Sequence, residues 1–372
     1  MHILITGGAG FIGSFLTERL MSAGHSVCIL DNLDPQVHPN GAPPCLPPRA
    51  RLLTGDVRDR EALSAALDGA QAVVHCAAAV GIAQSLYRPH HYADVNVAGT
   101  ALLLQLLAER RHSLRKLLIF TSMTCYGEGL YRRRSDNTLL RVGVREESSI
   151  KNHGWEPVCP RTLEVLEPVP ISEDCELQAK NVYALTKKYQ EELAFSLGEV
   201  FDIPVVCLRL FNVYGPRQSL SNPYTGVLAI FLSRILSDKP PIVYEDGNQT
   251  RDFISVHDVA EAAVLAMERD EANGQVINIG SGIPRRIGEY AYALAKLLGR
   301  NDIEPIISGQ FRKGDIRHCS ADIAKAGKLL GFEPRVSWEE GLAELIEWAG
   351  SNLFVDRSAQ AEAELRKFGL VR

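Results

Sequence analysis

The sequence predicts an α/β fold: a doubly wound, mostly parallel sheet that carries a smaller α-rich lobe. In the first half of the chain, short apolar runs of strand length alternate with amphipathic stretches of helix length, which is typical of βαβ units with right-handed crossovers. At 372 residues the chain is too long for one typical domain and has room for a second lobe. The predicted strands are residues 2–6, 26–30, 51–54, 72–76, 116–121 and 204–208, and residues 276–279 are expected to return to the same sheet as an outer strand. The predicted helices are residues 12–22, 60–67, 96–111, 182–197 and, near the C-terminus, 357–368.

Composition and charge exclude several classes of function. A hydrophobic fraction of 46% is ordinary for a globular protein, and the net charge of −5 is spread over both signs, so no nucleic-acid partner is expected. The longest apolar stretch, residues 72–83, is too short to span a membrane, and no membrane partner is expected. The chain opens directly into a strand pattern, which leaves no room for a signal peptide, and its eight cysteines lack paired spacing. We therefore expect a cytoplasmic protein with reduced thiols.

A glycine-rich loop joins the first predicted strand to the first predicted helix. Gly7 permits a tight turn, Gly10 lets the backbone approach a pyrophosphate, and Gly13 lets the helix pack against the strand. The unpaired N–H groups of the helix N-terminus then face the phosphates. This loop, with strand before it and helix after it, predicts a dinucleotide-binding Rossmann domain.

Acidic residues close the next two predicted strands. Asp31 stands about twenty residues after the glycine loop, where a carboxylate can bind the ribose hydroxyls of adenosine. A carboxylate there repels a 2′-phosphate, so NAD is favoured over NADP. Asp56 closes the third strand, beside the expected adenine pocket. Each acid alone fits simple turn chemistry after a strand; together with the glycines, both favour cofactor binding.

Tyr183 and Lys187 lie four residues apart on a predicted helix, and this spacing places them on one face. A free phenol has a pKa of about 10, so a base that works near pH 7 requires a pKa lowered by roughly three units. A neighbouring ammonium and a positively charged nicotinamide ring could lower it. Ser122, at the end of a predicted strand, could exchange a proton between a sugar and the tyrosine. Taken singly, these residues fit an ordinary surface pair and a capping hydroxyl.

The combined pattern resembles the extended short-chain dehydrogenases/reductases, and more narrowly their nucleotide-sugar epimerase/dehydratase branch. The motifs stand in the family's order at residues 6–13, Asp31, Asp56, 75–78, 96–100, Ser122, Tyr183 with Lys187, and 208–216. The resemblance runs from Met1 to about Gly350, apart from an insertion at residues 128–180.

The resemblance implies a role for each matched position, with Ser122, Tyr183 and Lys187 as catalytic residues. The residues expected to contact NAD are Gly7, Gly10, Phe11, Ile12, Gly13, Asp31, Asn32, Asp56, Val57, Ala77, Ala78, Ala79, Asn96, Tyr183 and Lys187. Those expected to contact a nucleotide-sugar substrate are Ser122, Thr124, Asn212, Arg251, Arg312 and Asp315. A guanidinium fork suits a diphosphate, although the same arginines also fit plain surface charges.

Several reactions share this scaffold, and we favour 4-epimerisation, in which C4 of the sugar is oxidised to a ketone and then reduced on its other face. A 4,6-dehydratase resembling this family would carry an Asp-Glu pair after the triad hydroxyl. This chain has Met123 and Thr124 there, which disfavours dehydration. A nucleotide-sugar decarboxylase remains an alternative, as does a degenerate relative that only senses NAD.

The insertion at residues 128–180 resembles one found in bacterial dTDP-L-rhamnose 4-epimerases. A dTDP-6-deoxyhexose is therefore favoured over a UDP-sugar, and we expect the insertion to form a lid or rim over the sugar pocket. Relatives place further cysteines near the position of Cys159, as though binding metal; this chain has Thr162, Arg133 and Arg134 instead. Zinc needs about four such ligands, so no metal site is predicted.

Two further expectations concern organisation. Residues 1–212 and 253–282 should form the NAD-binding domain, with 213–252 and 283–372 forming the substrate lobe. In related proteins the helices that match 96–111 and 182–197 pair across a two-fold axis, so a homodimer is expected. The stripe Leu102, Leu103, Leu106 and Leu107 would serve that interface or the core of the monomer.

Overall fold

A parallel sheet lies at the centre of the computed structural model, which describes residues 1–110, 114–143, 145–224, 226–312, 315–352 and 354–370. The strands are β1 (His2–Thr6), β2 (Ser26–Asp31), β3 (Arg51–Thr54), β4 (Ala72–His75), β5 (Lys116–Ser122), β6 (Leu130–Arg132), β7 (Leu139–Arg141), β8 (Glu167–Val169), β9 (Val205–Leu210), β10 (Asn212–Tyr214), β11 (Ile242–Val243), β12 (Thr250–Ser255), β13 (Gln275–Ile279), β14 (Pro284–Arg286), β15 (Ile306–Ile307) and β16 (His318–Cys319). The central sheet has seven strands in the order β13-β9-β5-β4-β1-β2-β3, and every pair is parallel. The predicted outer strand is confirmed, because β13 pairs with β9 at the sheet edge.

Helices cover both faces of this sheet. The α-helices are α1 (Phe11–Ser22), α2 (Arg60–Ala66), α3 (Ile82–Tyr87), α4 (Pro89–Tyr92), α5 (Gly99–Glu109), α6 (Glu147–His153), α7 (Val182–Val200), α8 (Val227–Leu236), α9 (Val256–Glu268), α10 (Ile287–Leu297), α11 (Ala324–Leu330), α12 (Trp338–Gly350) and α13 (Ser358–Lys367). Residues of α1, α9 and α11 join one hydrophobic cluster with the sheet, and residues of α2, α5 and α7 join another. Strands β4, β5 and β9 are buried at each position, as continuous apolar runs predict for a sheet covered on both sides. The doubly wound α/β fold is confirmed.

The helix predicted at residues 96–111 is divided into two parts. A π-helical stretch, Ala93–Ala98, precedes α5, and the predicted last residue, Arg111, lies outside the described residues. π-helical turns are rare in proteins, and those that occur are often found at functional sites. Here the π-helical stretch carries Asn96, which is fully buried.

The insertion forms a small unit of its own. Strands β6, β7 and β8 make an antiparallel sheet in the order β7-β6-β8, and α6 follows β7. Tyr131, Val142, Cys159 and Leu166 form a separate hydrophobic cluster beneath it. The sequence did not predict these strands, since each has only three residues, too few to display an alternating pattern.

A second core supports the remaining helices. Residues of α8, α10 and α12 pack together with Tyr214 and Phe253 in one hydrophobic cluster. The sheet β10-β12-β14 borders this cluster, and β16 pairs with β12. Helix α13 lies close to its predicted position. None of the described helices is both long and apolar enough to cross a membrane.

Candidate active site

A cavity of about 860 Å³ opens at the carboxyl ends of the central strands. Ligands bind at this edge in open parallel sheets. The loops after β1 to β5 and after β9 contribute to its wall, and so do segments of the second core. Of the predicted site residues, only Asn96 is absent from the wall, because it is buried behind it.

The glycine loop closes tightly against the neighbouring strand. Gly7 has a φ of +71°, and a Cβ there would lie 2.7 Å from the backbone nitrogen of Ala77. A Cβ on Gly13 would collide with the Gly7 carbonyl oxygen, whereas one on Gly10 would meet that oxygen alone, at 3.2 Å. Helix α1 begins at Phe11 without a side-chain cap. The loop therefore fits a pyrophosphate, since Gly10 is open on its outer side and the first N–H groups of the helix are free of a side-chain acceptor.

Asp31 and Asp56 stand side by side at the adjoining strand ends. The Asp31 carboxylate accepts backbone N–H groups from Ala9 at 3.0 Å and Leu33 at 2.9 Å, which fixes its orientation. Each oxygen retains acceptor capacity, so Asp31 fits a pair of ribose hydroxyls. Asp56 accepts from Arg58 at 2.8 Å and from Asn32 at 3.0 Å. Hydrogen bonds from Arg58 lower the pKa of Asp56 to about 2.

The structure brings Ser122, Tyr183 and Lys187 to one wall of the cavity. Asn181 caps α7 by accepting the Ala184 N–H at 2.9 Å, and Tyr183 faces the cavity together with Ser122 of β5. The Ser122 hydroxyl accepts from the Thr124 hydroxyl at 3.0 Å.

Burial acts on the two titrating groups in opposite directions. It raises the pKa of the Tyr183 phenol above its usual value, against the partial effect of the Ser122 hydrogen bond. Burial lowers the pKa of Lys187 to about 8, and its Nζ donates to the Phe120 carbonyl at 3.0 Å. Because burial favours the neutral phenol, the lowering that base catalysis requires must come from a further positive charge placed in the cavity.

Asn96 acts from behind the cavity wall. Its side-chain oxygen accepts the Ala79 N–H at 2.7 Å, and its amide donates to the Ala79 carbonyl at 3.0 Å. The same amide also donates to the Thr186 hydroxyl at 2.9 Å. Asn96 therefore holds the loop after β4 against α7, and Ala79 is the residue that reaches the cavity.

The opposite end of the cavity carries polar atoms without a protein partner. Among the described residues, no hydrogen-bond partner reaches Oδ1 of Asn212 or Nε of Arg312, and both atoms are buried. The Arg312 guanidinium lies 4.3 Å from the centroid of the Tyr244 ring, and Arg251 donates to Asp315 at 3.2 Å. Both guanidinium groups line this end of the cavity and suit a diphosphate, and that of Arg251 is already held by the backbone carbonyls of Thr250, Ile316 and Arg317.

The sequence did not predict several other residues that line the cavity. Gln36 belongs to a proline-rich loop after β2 and is hydrogen-bonded to Gln84 at 3.0 Å. Helix α13 contributes Ala361 and Leu365 to the wall. The position of that loop, directly after Asp31, was the one available signal. The sequence in and around α13 has no pattern that predicts the packing of this helix against the cavity.

None of the described residues of the insertion lines this cavity, so the predicted lid or rim is wrong for those residues. Cys159 instead contacts two of the residues that replace the relatives' cysteines. Arg133 donates to its sulfur at 3.6 Å, and hydrogen bonds, chiefly from Thr162, lower the pKa of the Cys159 thiol to about 7. Within the described ranges, no three His, Cys, Asp or Glu side chains are grouped so that they could hold a metal ion.

A doubly wound sheet, a glycine loop and a Ser–Tyr–Lys group on one cavity define a dinucleotide-dependent enzyme. The profile of the NAD dependent epimerase/dehydratase family matches residues 3–143 and 161–280, and the chain belongs to this family. Its cofactor is NAD.

Individual relatives span nearly the whole chain. A dTDP-L-rhamnose 4-epimerase of Burkholderia thailandensis is 37% identical over 359 residues, which cover 94% of this chain and 95% of that protein. A UDP-N-acetyl-alpha-D-glucosaminuronate decarboxylase of Bacillus cytotoxicus is 30% identical, with 93% and 96% covered. The solved UDP-glucose 4-epimerase of Thermus thermophilus in complex with NAD matches with a TM-score of 0.72 at 27% identity, covering 95% of this chain and all of that one.

Proposed function

We propose that this enzyme inverts C4 of a nucleotide-activated sugar through a transient 4-keto sugar. The observation that carries the proposal is one continuous cavity with the Ser122–Tyr183–Lys187 group on its wall and Arg251 and Arg312 at its far end. When bound, NAD⁺ supplies the hydride acceptor and donor, and its nicotinamide ring supplies positive charge.

The protein's own residues then handle the proton of the sugar hydroxyl. As the phenolate, Tyr183 takes the proton from the C4 hydroxyl and later returns it, since its side chain lies with the Ser122 hydroxyl on the cavity wall. Ser122 orients that hydroxyl and shares the proton. The Lys187 ammonium favours the phenolate, since a nearby positive charge stabilises the ionised form.

The wall beside Ser122 supports epimerisation over dehydration. Met123 and Thr124 follow Ser122 and are both buried at the cavity, with 4% and 9% of their surface exposed. Elimination of water from C5 and C6 needs an acid and a base there, and neither a thioether nor a hydroxyl of ordinary pKa serves. Decarboxylation is the second candidate, favoured by the similarity to the Bacillus cytotoxicus decarboxylase, because it also begins with oxidation at C4.

We infer that the substrate is a dTDP-6-deoxyhexose such as dTDP-L-rhamnose, with UDP-sugars as the alternative. Similarity to the Burkholderia thailandensis enzyme, which spans the insertion as well as both cores, supports this choice. We assign diphosphate and nucleoside contacts to Asn212, Arg251, Arg312 and Asp315, because all four line this end of the cavity and, among the described residues, buried polar atoms of Asn212 and Arg312 have no protein partner. We keep the NAD contacts that the sequence predicts, except that Asn96 contributes indirectly, by holding the backbone of Ala79 in place.

The organisation of the chain completes the proposal. We assign residues 1–212 and 253–282 to NAD binding and 213–252 with 283–372 to the substrate lobe, since the latter segments share a hydrophobic core. A homodimer through α5 and α7 is supported by Leu185 and Tyr189, which lie one turn apart on α7 and are 40% and 50% exposed. The eight cysteines are all unpaired, which supports a cytoplasmic location.

A panel of dTDP-, UDP- and GDP-sugars tests the reaction: each sugar is incubated with enzyme and NAD in deuterated water, the sugar nucleotides are separated, and each is weighed by mass spectrometry. We expect one sugar, a dTDP-6-deoxyhexose, to give an isomer of unchanged mass with no deuterium on carbon. Tyr183→Phe should reduce the rate by ~10²- to 10⁴-fold, because it removes the proton-transfer group. Tyr292→Phe, at an exposed tyrosine of α10, is the matched control.

Loss of carbon dioxide in that experiment would establish the decarboxylase, and loss of water would refute the argument from Met123 and Thr124. If the protein binds NAD but converts none of the sugars, the proposed epimerase activity is refuted.

A further inference from the structure

Glu245 holds an unusual position between two segments that border the cavity. It is 3% exposed and has a φ of +54°, a left-handed conformation that non-glycine residues rarely adopt. Its backbone N–H donates to the Gln310 carbonyl at 2.7 Å, and its carbonyl accepts from Gly309 at 3.1 Å. Glu245 therefore ties residues 244–249 to residues 309–312 and 315–317, and its conformation persists only where surrounding contacts hold it.

Arg145 of the insertion supplies such contacts. Its guanidinium donates to both carboxylate oxygens of Glu245, at 3.1 and 2.7 Å, and to the backbone carbonyl of Asp315 at 3.3 Å. The Arg145 side chain is only 8% exposed, and its Nε lies 3.8 Å from Glu128. One side chain of the insertion thus contacts both segments at once.

Arg317 extends the same network from the other direction. This residue is fully buried, and it donates to Glu245 and to Asp246 at 2.7 Å each. Its Nε donates to Glu156 of the insertion at 3.0 Å. Glu128 accepts the backbone N–H groups of Arg317 and His318 at 2.9 and 3.1 Å. Three insertion residues, Glu128, Arg145 and Glu156, therefore hold the two segments together.

These segments carry the residues that face the diphosphate end of the cavity. Tyr244, next to Glu245, supports the Arg312 guanidinium, and Asp315, whose carbonyl Arg145 binds, orients Arg251. Tyr244, Arg251, Arg312 and Asp315 all line the cavity, whereas the described residues of the insertion do not.

We propose that Arg145 is a positioning residue, through which the insertion fixes the two arginines that bind the nucleotide diphosphate. This inference rests on the proposed function for the identity of the ligand. Replacing Arg145 leaves the Glu245 carboxylate with one cationic partner and releases the Asp315 carbonyl, so the guanidiniums of Arg251 and Arg312 lose their fixed separation. A buried ionic network that loses one member is penalised strongly, because the remaining charge stays desolvated.

The test uses Arg145→Met, which retains the length of the aliphatic stem, and measures binding of dTDP and of UDP by calorimetry. We expect the affinity for the preferred nucleoside diphosphate to fall by about tenfold or more, since a positioned pair of charge-assisted contacts is lost. In turnover, KM for the nucleotide-sugar should rise with little change in kcat. The stabilisation of the protein by NAD should be unchanged. Arg145→Lys, which preserves the charge, should recover part of the affinity.

Arg134→Gln is the matched control, because Arg134 belongs to the same insertion but its side chain is 74% exposed. If Arg145→Met does not fold, Glu156→Gln tests the same network from a residue whose side chain is 35% exposed. A variant that melts at lower temperature while binding dTDP and UDP as the parent does would overturn the proposal. So would an equal loss of NAD and nucleotide affinity. Binding of dTDP and UDP is measured without any reaction. The test of Arg145 therefore stays valid even if the proposed reaction is wrong.

Discussion

Lys187 is 4% exposed beneath the end of β5, where an ammonium has little water around it. Its Nζ donates to a single backbone carbonyl, and burial accordingly lowers its pKa to about 8. On the proposed mechanism, a neutral Lys187 above that pH would no longer favour the phenolate form of Tyr183. The proposed catalytic charge would therefore be present only at neutral and acidic pH.

We expect kcat to decline above about pH 8, following the titration of Lys187. A pH–rate profile at saturating substrate measures this, with Lys187→Met expected to abolish the alkaline limb along with most of the activity. Lys188→Met, which changes the adjacent lysine of α7 at 32% side-chain exposure, should retain the parent profile. Activity that stays level up to pH 10 would contradict the assignment.

At the scale of elements, α13 connects distant parts of the structure. The Glu364 carboxylate accepts from the hydroxyls of Tyr87 on α3, at 2.7 Å, and of Tyr224. The Tyr87 and Phe368 rings stack with centroids 4.8 Å apart. Ala361 and Leu365 of this helix line the cavity, so the contacts that attach α13 also hold part of the cavity wall in place.

Glu364→Gln should weaken that attachment, because a neutral amide is a poorer acceptor for two phenols. We expect KM for the nucleotide-sugar to rise by about two- to tenfold, as the loss of a partly exposed charge-assisted hydrogen bond predicts. Steady-state kinetics of Glu364→Gln against Glu304→Gln, an exposed glutamate elsewhere in the same lobe, measure this effect. Equal KM values for the two variants would exclude α13 from substrate binding.

A feature could be predicted from the sequence where residues close to it along the chain determine it, and could not where its partners are distant in sequence. The strands of the central sheet read as continuous apolar runs, because both of their faces are covered, and Tyr183 and Lys187 share a face through helical spacing alone. Arg145 could not be identified in this way. Its partners Glu245 and Asp315 lie 100 and 170 residues further along the chain, and no periodicity connects them. Asn96 illustrates an intermediate case, since the motif identified the residue but not its indirect route through Ala79.

For the whole molecule, the proposed dimer interface makes a separate prediction. Leu185→Asp with Tyr189→Asp should give a monomer in sedimentation experiments, because an unpaired carboxylate buried between subunits is costly. The monomer should still fold, since both positions are substantially exposed on α7. Tyr292→Asp, at 48% exposure on α10, should sediment as the parent does. An unchanged mass for the double variant would rule out this surface.

The span of chain that lines the cavity also has a consequence for biosynthesis. Its wall begins at Gly7 and ends at Leu365, so all of the chain between these two residues must leave the ribosome before the site is complete. Domains generally fold from the N-terminus during translation. A chain that ends at residue 350 would contain the seven-stranded sheet and the Ser–Tyr–Lys group, yet its cavity wall would lack Ala361 and Leu365 of α13. Premature termination would therefore yield a product that folds around its cofactor and handles its substrate poorly.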